Sequence, residues 1–334
     1  MSGAVPSGFL TLPSIDEALA REVQAELEQV EKLLRETVAE SDPLLNEAAA
    51  HLLAAGGKRF RATLVLLAAR FGDAGNPDLV PAAAVVELTH VATLYHDDVM
   101  DEAELRRGSP SANRRWGNAI AILTGDYVFA RASEILADLG TEAVRLQAQT
   151  FGRLVRGQIL ETAGPRAGAD PMKHYLDVIA DKTASLIASS ARFGAMFGRT
   201  GPDVVETVTR AGEALGTAFQ LSDDILDVAS ETAQSGKTPG TDLREGVLTL
   251  PMLYALRGEE PEHARLRSLL GRPLDDAETA EALGLLRAHP AMREARADLE
   301  SWADRARSEL TTLPDCPARD AFLALCDYVV ERSG

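Results

Sequence analysis

Cysteine is scarce in this chain of 334 residues, which carries only Cys316 and Cys326. That pair offers neither a disulfide framework nor a metal-ligand spacing, so both read as packing residues in a reducing compartment, the cytoplasm. No window of about 18 apolar residues runs free of charge, which excludes a membrane-spanning helix. Residues 1–13 lack a basic segment followed by an apolar one and read as a loose lead, not an export signal. Aromatic residues make up only 5% and β-branched runs are short, whereas Ala and Leu dominate, so helix is favoured over strand. The formal charge of -17 leaves no basic stripe for a nucleic-acid backbone. Any anionic ligand must then be met by local cations or by metal. No linker divides the chain and no low-complexity segment interrupts it, which predicts one all-α domain over 1–334.

What the chain does have is acid in two places. Tyr95-His-Asp-Asp-Val-Met-Asp-Glu102 closes a long apolar, alanine-rich run that begins near Pro77. On a helix Asp97 and Asp101 share one face, with Asp98 beside them. Such crowding costs little on an exposed surface, and alone it reads as a solvated helix end. A second cluster, Asp223, Asp224 and Asp227, closes the apolar run from Ala211 to Leu221 in the same way. Two clusters built alike suggest facing jaws that need a counter-charge, and hard carboxylate oxygens suit Mg²⁺ held together with substrate phosphates.

Cations punctuate the rest. A helix runs from Ser14 to about Glu40 on an apolar repeat of three and four, and Pro43 opens another that ends at Gly56-Gly57. Gly56-Gly-Lys-Arg-Phe-Arg61 is a glycine hinge, three cations and a new helix start, which favours an anion but reads equally as a surface turn. Pro77 is expected to open the helix of the first cluster, and on it His90 alone reads as an interior histidine. Past that cluster the pattern breaks at Gly108 and Pro110, leaving Arg106 and Arg107 as a pair suited to phosphate. Helices follow over about Gly117 to Leu139 and Thr141 to Thr162. Lys182, amid apolar and hydroxyl residues, either donates to phosphate or snorkels from a buried face. Gly236-Lys-Thr-Pro-Gly240 is a glycine-punctuated loop without the P-loop spacing. Beyond it the chain reads as acidic helices, about Asp276 to Leu286, Pro290 to Leu310 and Pro317 to Glu331.

Taken together, Gly56 to Arg61, His96 to Asp101 with Arg106-Arg107, Lys182-Thr183, Phe219-Gln-Leu-Ser-Asp-Asp-Ile-Leu-Asp227 and Gly236-Lys237 resemble the trans-isoprenyl diphosphate synthases, or polyprenyl synthetase family. The resemblance runs from about Pro43 to Leu256. One DDxxD motif is common, whereas two in this order with these flanking cations are specific. The resemblance implies a bundle of long helices around a deep cavity, usually homodimeric, that condenses isopentenyl diphosphate with an allylic diphosphate.

It also implies roles. Asp97 and Asp101 resemble Mg²⁺ ligands with Asp98 in support, and Asp223 and Asp227 resemble a second set beside Asp224. Arg106, Lys182, Thr183, Gln220 and Lys237 would hold the allylic diphosphate, and Lys58, Arg61, His90 and Arg107 isopentenyl diphosphate. Where the family often has Glu-Gly-Lys before Thr-Leu-Pro, Glu245-Gly246 is followed here by Val247. Ala92 and Thr93, just before Asp97, and Thr89 a turn earlier, are small where a bulky aromatic would stop growth at short products. A long-chain product of about C30 to C50 is therefore expected, each buried CH₂ being worth about 0.8 kcal/mol. The alternatives are a C15 to C20 synthase with a stopper such as Phe129 or Phe151, a terpene cyclase, and a silent subunit of a heteromeric synthase. The isopentenyl-type cations argue against a cyclase, and the intact acids against a silent subunit.

Overall fold

A computed structural model of the chain describes residues 15–230, 239–258 and 260–332. The lead 1–13, Gly236 and Lys237 lie outside the described residues. The chain forms two compact units, one of 1–150, 186–209 and 312–324, the other of 151–185, 210–311 and 325–334.

In the first unit, α1 (Glu17–Val38) starts where Asp16 accepts from the Leu19 amide at 2.8 Å, and its stripe of Leu19, Val23, Leu27, Val30 and Leu34 is buried. In α2 (Pro43–Ala54) the Asp42 side chain takes the Leu45 amide at 2.9 Å, and Pro43 occupies the first turn, where no amide is missed. Both α3 (Phe60–Ala69) and α4 (Leu79–Met100) are apolar on nearly every side and run through the core of the unit. The helix α4 begins two residues later than the proline pattern predicts. Asn76 accepts the Asp78 amide at 3.1 Å and so sets the turn, while Pro81 sits harmlessly inside it.

After α4 come features too short for periodicity to reveal: a hairpin pairing β1 (Leu105–Arg106) with β2 (Ser109–Pro110), and α5 (Ala112–Trp116). Next, α6 (Asn118–Leu139) lies along α4. Gly125 permits that approach, since a Cβ there would lie 2.5 Å from His96 Nε2 and 3.1 Å from the Ala92 carbonyl. The chain passes between units within α7 (Thr141–Ala163), at the start of α9 (Ser185–Phe197), within α10 (Pro202–Ala229), between Thr311 and Thr312, and within α16 (Pro317–Glu331).

The second unit holds α8 (Pro171–Ile179), a π-helical turn over Ala180–Ala184, and the acid-bearing end of α10. Its remaining helices are α11 (Thr241–Glu245), α12 (Leu250–Arg257), α13 (Ala264–Leu269), α14 (Asp276–Ala288) and α15 (Ala291–Leu310). Within this unit α12 packs on α8 and α15.

Candidate active site

Both acid clusters sit at helix C-termini. That end carries partial negative charge from unpaired carbonyls, so each carboxylate there is held against the local field and calls for positive charge. In the first unit Asp101 caps α4, its amide donating to the Asp97 carbonyl at 2.8 Å. Asp97 is half-buried and Asp101 exposed, whereas Asp98 turns inward with no exposed surface. Arg106 Nε donates to Asp98 Oδ1 at 2.6 Å, and its Nη2 stands 4.0 Å from Asp101. The hairpin thus carries Arg106 back over the acids it follows in sequence.

A cation group sits nearby in the same unit. Gly56 has a φ of +86° and Arg59 a φ of +46°, and this left-handed step turns Arg59 into the interior. There it pairs with Glu31 of α1 and stands 3.8 Å from Glu87 of α4. Lys58, one residue earlier, is exposed. Arg107 donates to the Leu52 carbonyl at 2.9 Å and to that of Gly56. The charges of Arg61, Arg107, Arg106 and Arg59 all bear on His90. Burial first, and then these cations, hold its imidazole well below the usual 6.5, so it is neutral near pH 7. Of these arginines Arg59, which the motif did not single out, is already paired with Glu31, and Arg106 with Asp98.

The three small residues before the cluster have separate surroundings. Ala92 is packed at 1% exposure and Thr93 is half-buried, its hydroxyl donating to the His90 carbonyl at 2.8 Å. Thr89 is fully buried, donates to the Val85 carbonyl at 2.8 Å and accepts from Gln147 at 2.6 Å. Phe129 and Phe151 are both half-buried.

The second unit repeats the motif of an inward middle acid. Asp224 is 5% exposed, with Tyr175 donating to Oδ2 and Gln220 Nε2 to Oδ1 at 2.8 Å. Burial raises its carboxyl to about 7, against the pull of those two donors. Asp223 is half-buried and pairs with Arg332 at 2.9 Å. Asp227 accepts the amides of Thr241 at 3.1 Å and Asp242 at 3.2 Å. Lys182 pairs with Glu161, and Thr183 donates to Gln220 Oε1 at 3.0 Å. The π turn and a glycine present this pair: a Cβ on Gly157 of α7 would lie 2.5 Å from the Lys182 nitrogen. Val247, at the position where the family often has a cation, is exposed at 40%.

The donor set fits a hard divalent cation. It is all carboxylate, and Asp98 Oδ2 is buried without a hydrogen-bond partner among the described residues. No three acids, histidines or cysteines among the described residues close round one point.

Residues 42–286 match the family model described as polyprenyl synthetase, and the chain belongs to that family of enzymes. It is 51% identical over 323 residues to a nonaprenyl diphosphate synthase of Mycobacterium tuberculosis, covering 96% of each. Among solved structures, a geranylgeranyl pyrophosphate synthase from Corynebacterium glutamicum, complexed with calcium and isoprenyl diphosphate, aligns with a TM-score of 0.86 at 43% identity. That alignment covers 96% of this chain and 98% of the other. A decaprenyl diphosphate synthase from Rhodobacter capsulatus aligns at 0.87 and 37% identity, over 95% and 99%. The helical fold and the family stand as the sequence predicts. No helix among the described residues is long and apolar enough to cross a membrane.

Proposed function

We propose that the protein is a Mg²⁺-dependent prenyltransferase that condenses isopentenyl diphosphate with allylic diphosphates to an all-trans polyprenyl diphosphate of about C30 to C50, whose burial contributes about 0.8 kcal/mol per CH₂. One observation supports this reading: each acid cluster closes the C-terminal part of a helix, where the negative end of the backbone field adds to that of the carboxylates and calls for a cation, and Asp97/Asp101 and Asp223/Asp227 would be its ligands. Mg²⁺ held by these residues would supply electrostatic stabilisation of the departing diphosphate. Arg106, Lys182, Thr183, Gln220 and Lys237 grip the allylic diphosphate. Lys58, Arg61, Arg107 and neutral His90 hold isopentenyl diphosphate, whose double bond attacks the allylic carbon. As that C–C bond forms, the allylic C–O bond breaks and releases diphosphate; the cationic centre left on the isopentenyl unit then loses a proton from its neighbouring carbon to the departing diphosphate, and the apolar surroundings exclude water from the cation.

The long chain is supported by small Ala92 and Thr93 and by likeness to the nonaprenyl synthase. Exposed Ile122 and Leu123 of α6 and Val144 of α7 support a homodimer that buries them. The protein acts as one catalytic domain in the cytoplasm and needs no nucleic acid. The test incubates purified protein with labelled isopentenyl diphosphate, several allylic primers and Mg²⁺, and sizes the products. Long products are expected. Absence of condensation overturns the class, and arrest at about C15 to C20, the short-chain outcome, overturns the account of Ala92 and Thr93.

A further inference from the structure

Tyr175 stands on α8, outside every motif, yet its hydroxyl donates to Asp224 Oδ2. From Asp224 the bonds continue: Gln220 Nε2 donates to Oδ1 at 2.8 Å, and Thr183 Oγ1 donates to Gln220 Oε1 at 3.0 Å. The two donors on Asp224 are not equivalent. Gln220 lies one turn before Asp224 on the same helix, so their bond survives any rotation of α10 as a body. The Tyr175 bond joins two helices and does not. It ties the acid-bearing end of α10 to α8, which leads into the Lys182–Thr183 turn, beside the contacts that Arg332 and the Thr241 and Asp242 amides make with Asp223 and Asp227. Tyr127 and Tyr254 also donate to carboxylates, Glu40 and Asp298, but Asp224 is 5% exposed and belongs to the acid cluster.

We infer that Tyr175 is a positioning residue, whose hydroxyl holds the second acid cluster in register with Lys182 and Thr183 for binding of a metal–diphosphate complex. This rests on the condensation proposed above, and the test separates the two. Tyr175→Phe removes one oxygen and keeps the ring. Binding of Mn²⁺ in the presence of inorganic diphosphate, followed by the electron spin resonance of free Mn²⁺, should weaken about tenfold, the scale for losing a group that orients a metal ligand. In the condensation assay kcat should fall by about as much and the Mg²⁺ midpoint should rise, with KM for isopentenyl diphosphate unchanged. A merely structural tyrosine would lower the melting temperature and leave the Mn²⁺ affinity of the folded protein alone. In an Asp224→Asn background the phenylalanine should have no further effect, because the hydroxyl acts through that acid. Wild-type Mn²⁺ binding in Tyr175→Phe, or losses that add to those of Asp224→Asn, would overturn the inference. Failure of the wild type to condense would overturn the proposed function, while the Mn²⁺ measurement would still decide the role of Tyr175.

Discussion

Gly157→Ala offers the sharpest reading of how the second unit presents its lysine. The Cβ would stand 2.5 Å from the Lys182 nitrogen, 2.9 Å from its Cα and 3.0 Å from the Asp181 carbonyl carbon. All three are backbone atoms, so no rotamer relieves them. Carbon contacts settle at about 3.5 Å, so α7 and the π turn must part by roughly 1 Å. Overpacking of this kind costs about 1–3 kcal/mol, and the better helix propensity of Ala returns about 1 kcal/mol. The net expectation is a loss of up to about 2 kcal/mol, or a melting temperature lower by up to about 4 °C. Gly152, on the same helix, is a built-in control. A Cβ there meets nothing within 4 Å, so Gly152→Ala should gain about 1 kcal/mol. Function should separate them further, since a misplacement of about 1 Å at a substrate-positioning group can cost about 10²-fold. Calorimetry on both variants, with KM for the allylic and isopentenyl substrates measured separately, forms the assay. The allylic KM should rise in Gly157→Ala alone. Equal stability of the two variants together with unchanged kinetics would refute the reasoning.

Asp97→Ala should lower kcat by at least roughly 10²-fold at saturating Mg²⁺ without unfolding the protein, because an acid is being removed from the negative end of α4; steady-state rates beside a circular-dichroism melt test this. His90 predicts an acid limb of stability. Its folded pKa lies below 6.5, so as pH falls through that value the unfolded chain takes up a proton that the folded chain refuses. Stability present above about pH 6.5 is then lost at up to about 1.4 kcal/mol per pH unit, and urea melts should show the loss shrinking in His90→Asn. Ala92→Phe, at a site 1% exposed, should cost about 1–3 kcal/mol and shorten the products, read by chromatography of the dephosphorylated alcohols. Unchanged product length would move the stopper to another helix.

Most of the helices were legible because their buried faces recur at three and four, as in Leu19, Val23, Leu27, Val30 and Leu34, and because prolines and glycines mark their ends. The acid clusters were legible because like charges are rarely gathered without a use. Three of the five lysines, Lys58, Lys182 and Lys237, already stood in motifs. Other features leave no local trace. The π turn at Ala180–Ala184 depends on the approach of Gly157, a contact between distant parts of the chain. Sequence alone does not say that Arg59 is buried while Lys58 is exposed, since a left-handed backbone step decides it. Tyr175 and Glu161 are ordinary residues on amphipathic helices until their partners, Asp224 and Lys182, are known. A two-residue strand pair such as Leu105–Arg106 with Ser109–Pro110 has no period to detect.

Arg332, one residue past α16, reaches the helix of the second acid cluster. Besides Asp223 it donates to Ser222 Oγ at 2.9 Å and to the Phe219 carbonyl at 2.8 Å, and its guanidinium lies 4.2 Å over the Phe219 ring. A substitution at Arg332, far from either aspartate-rich motif in sequence, would therefore register as a defect at the second acid cluster.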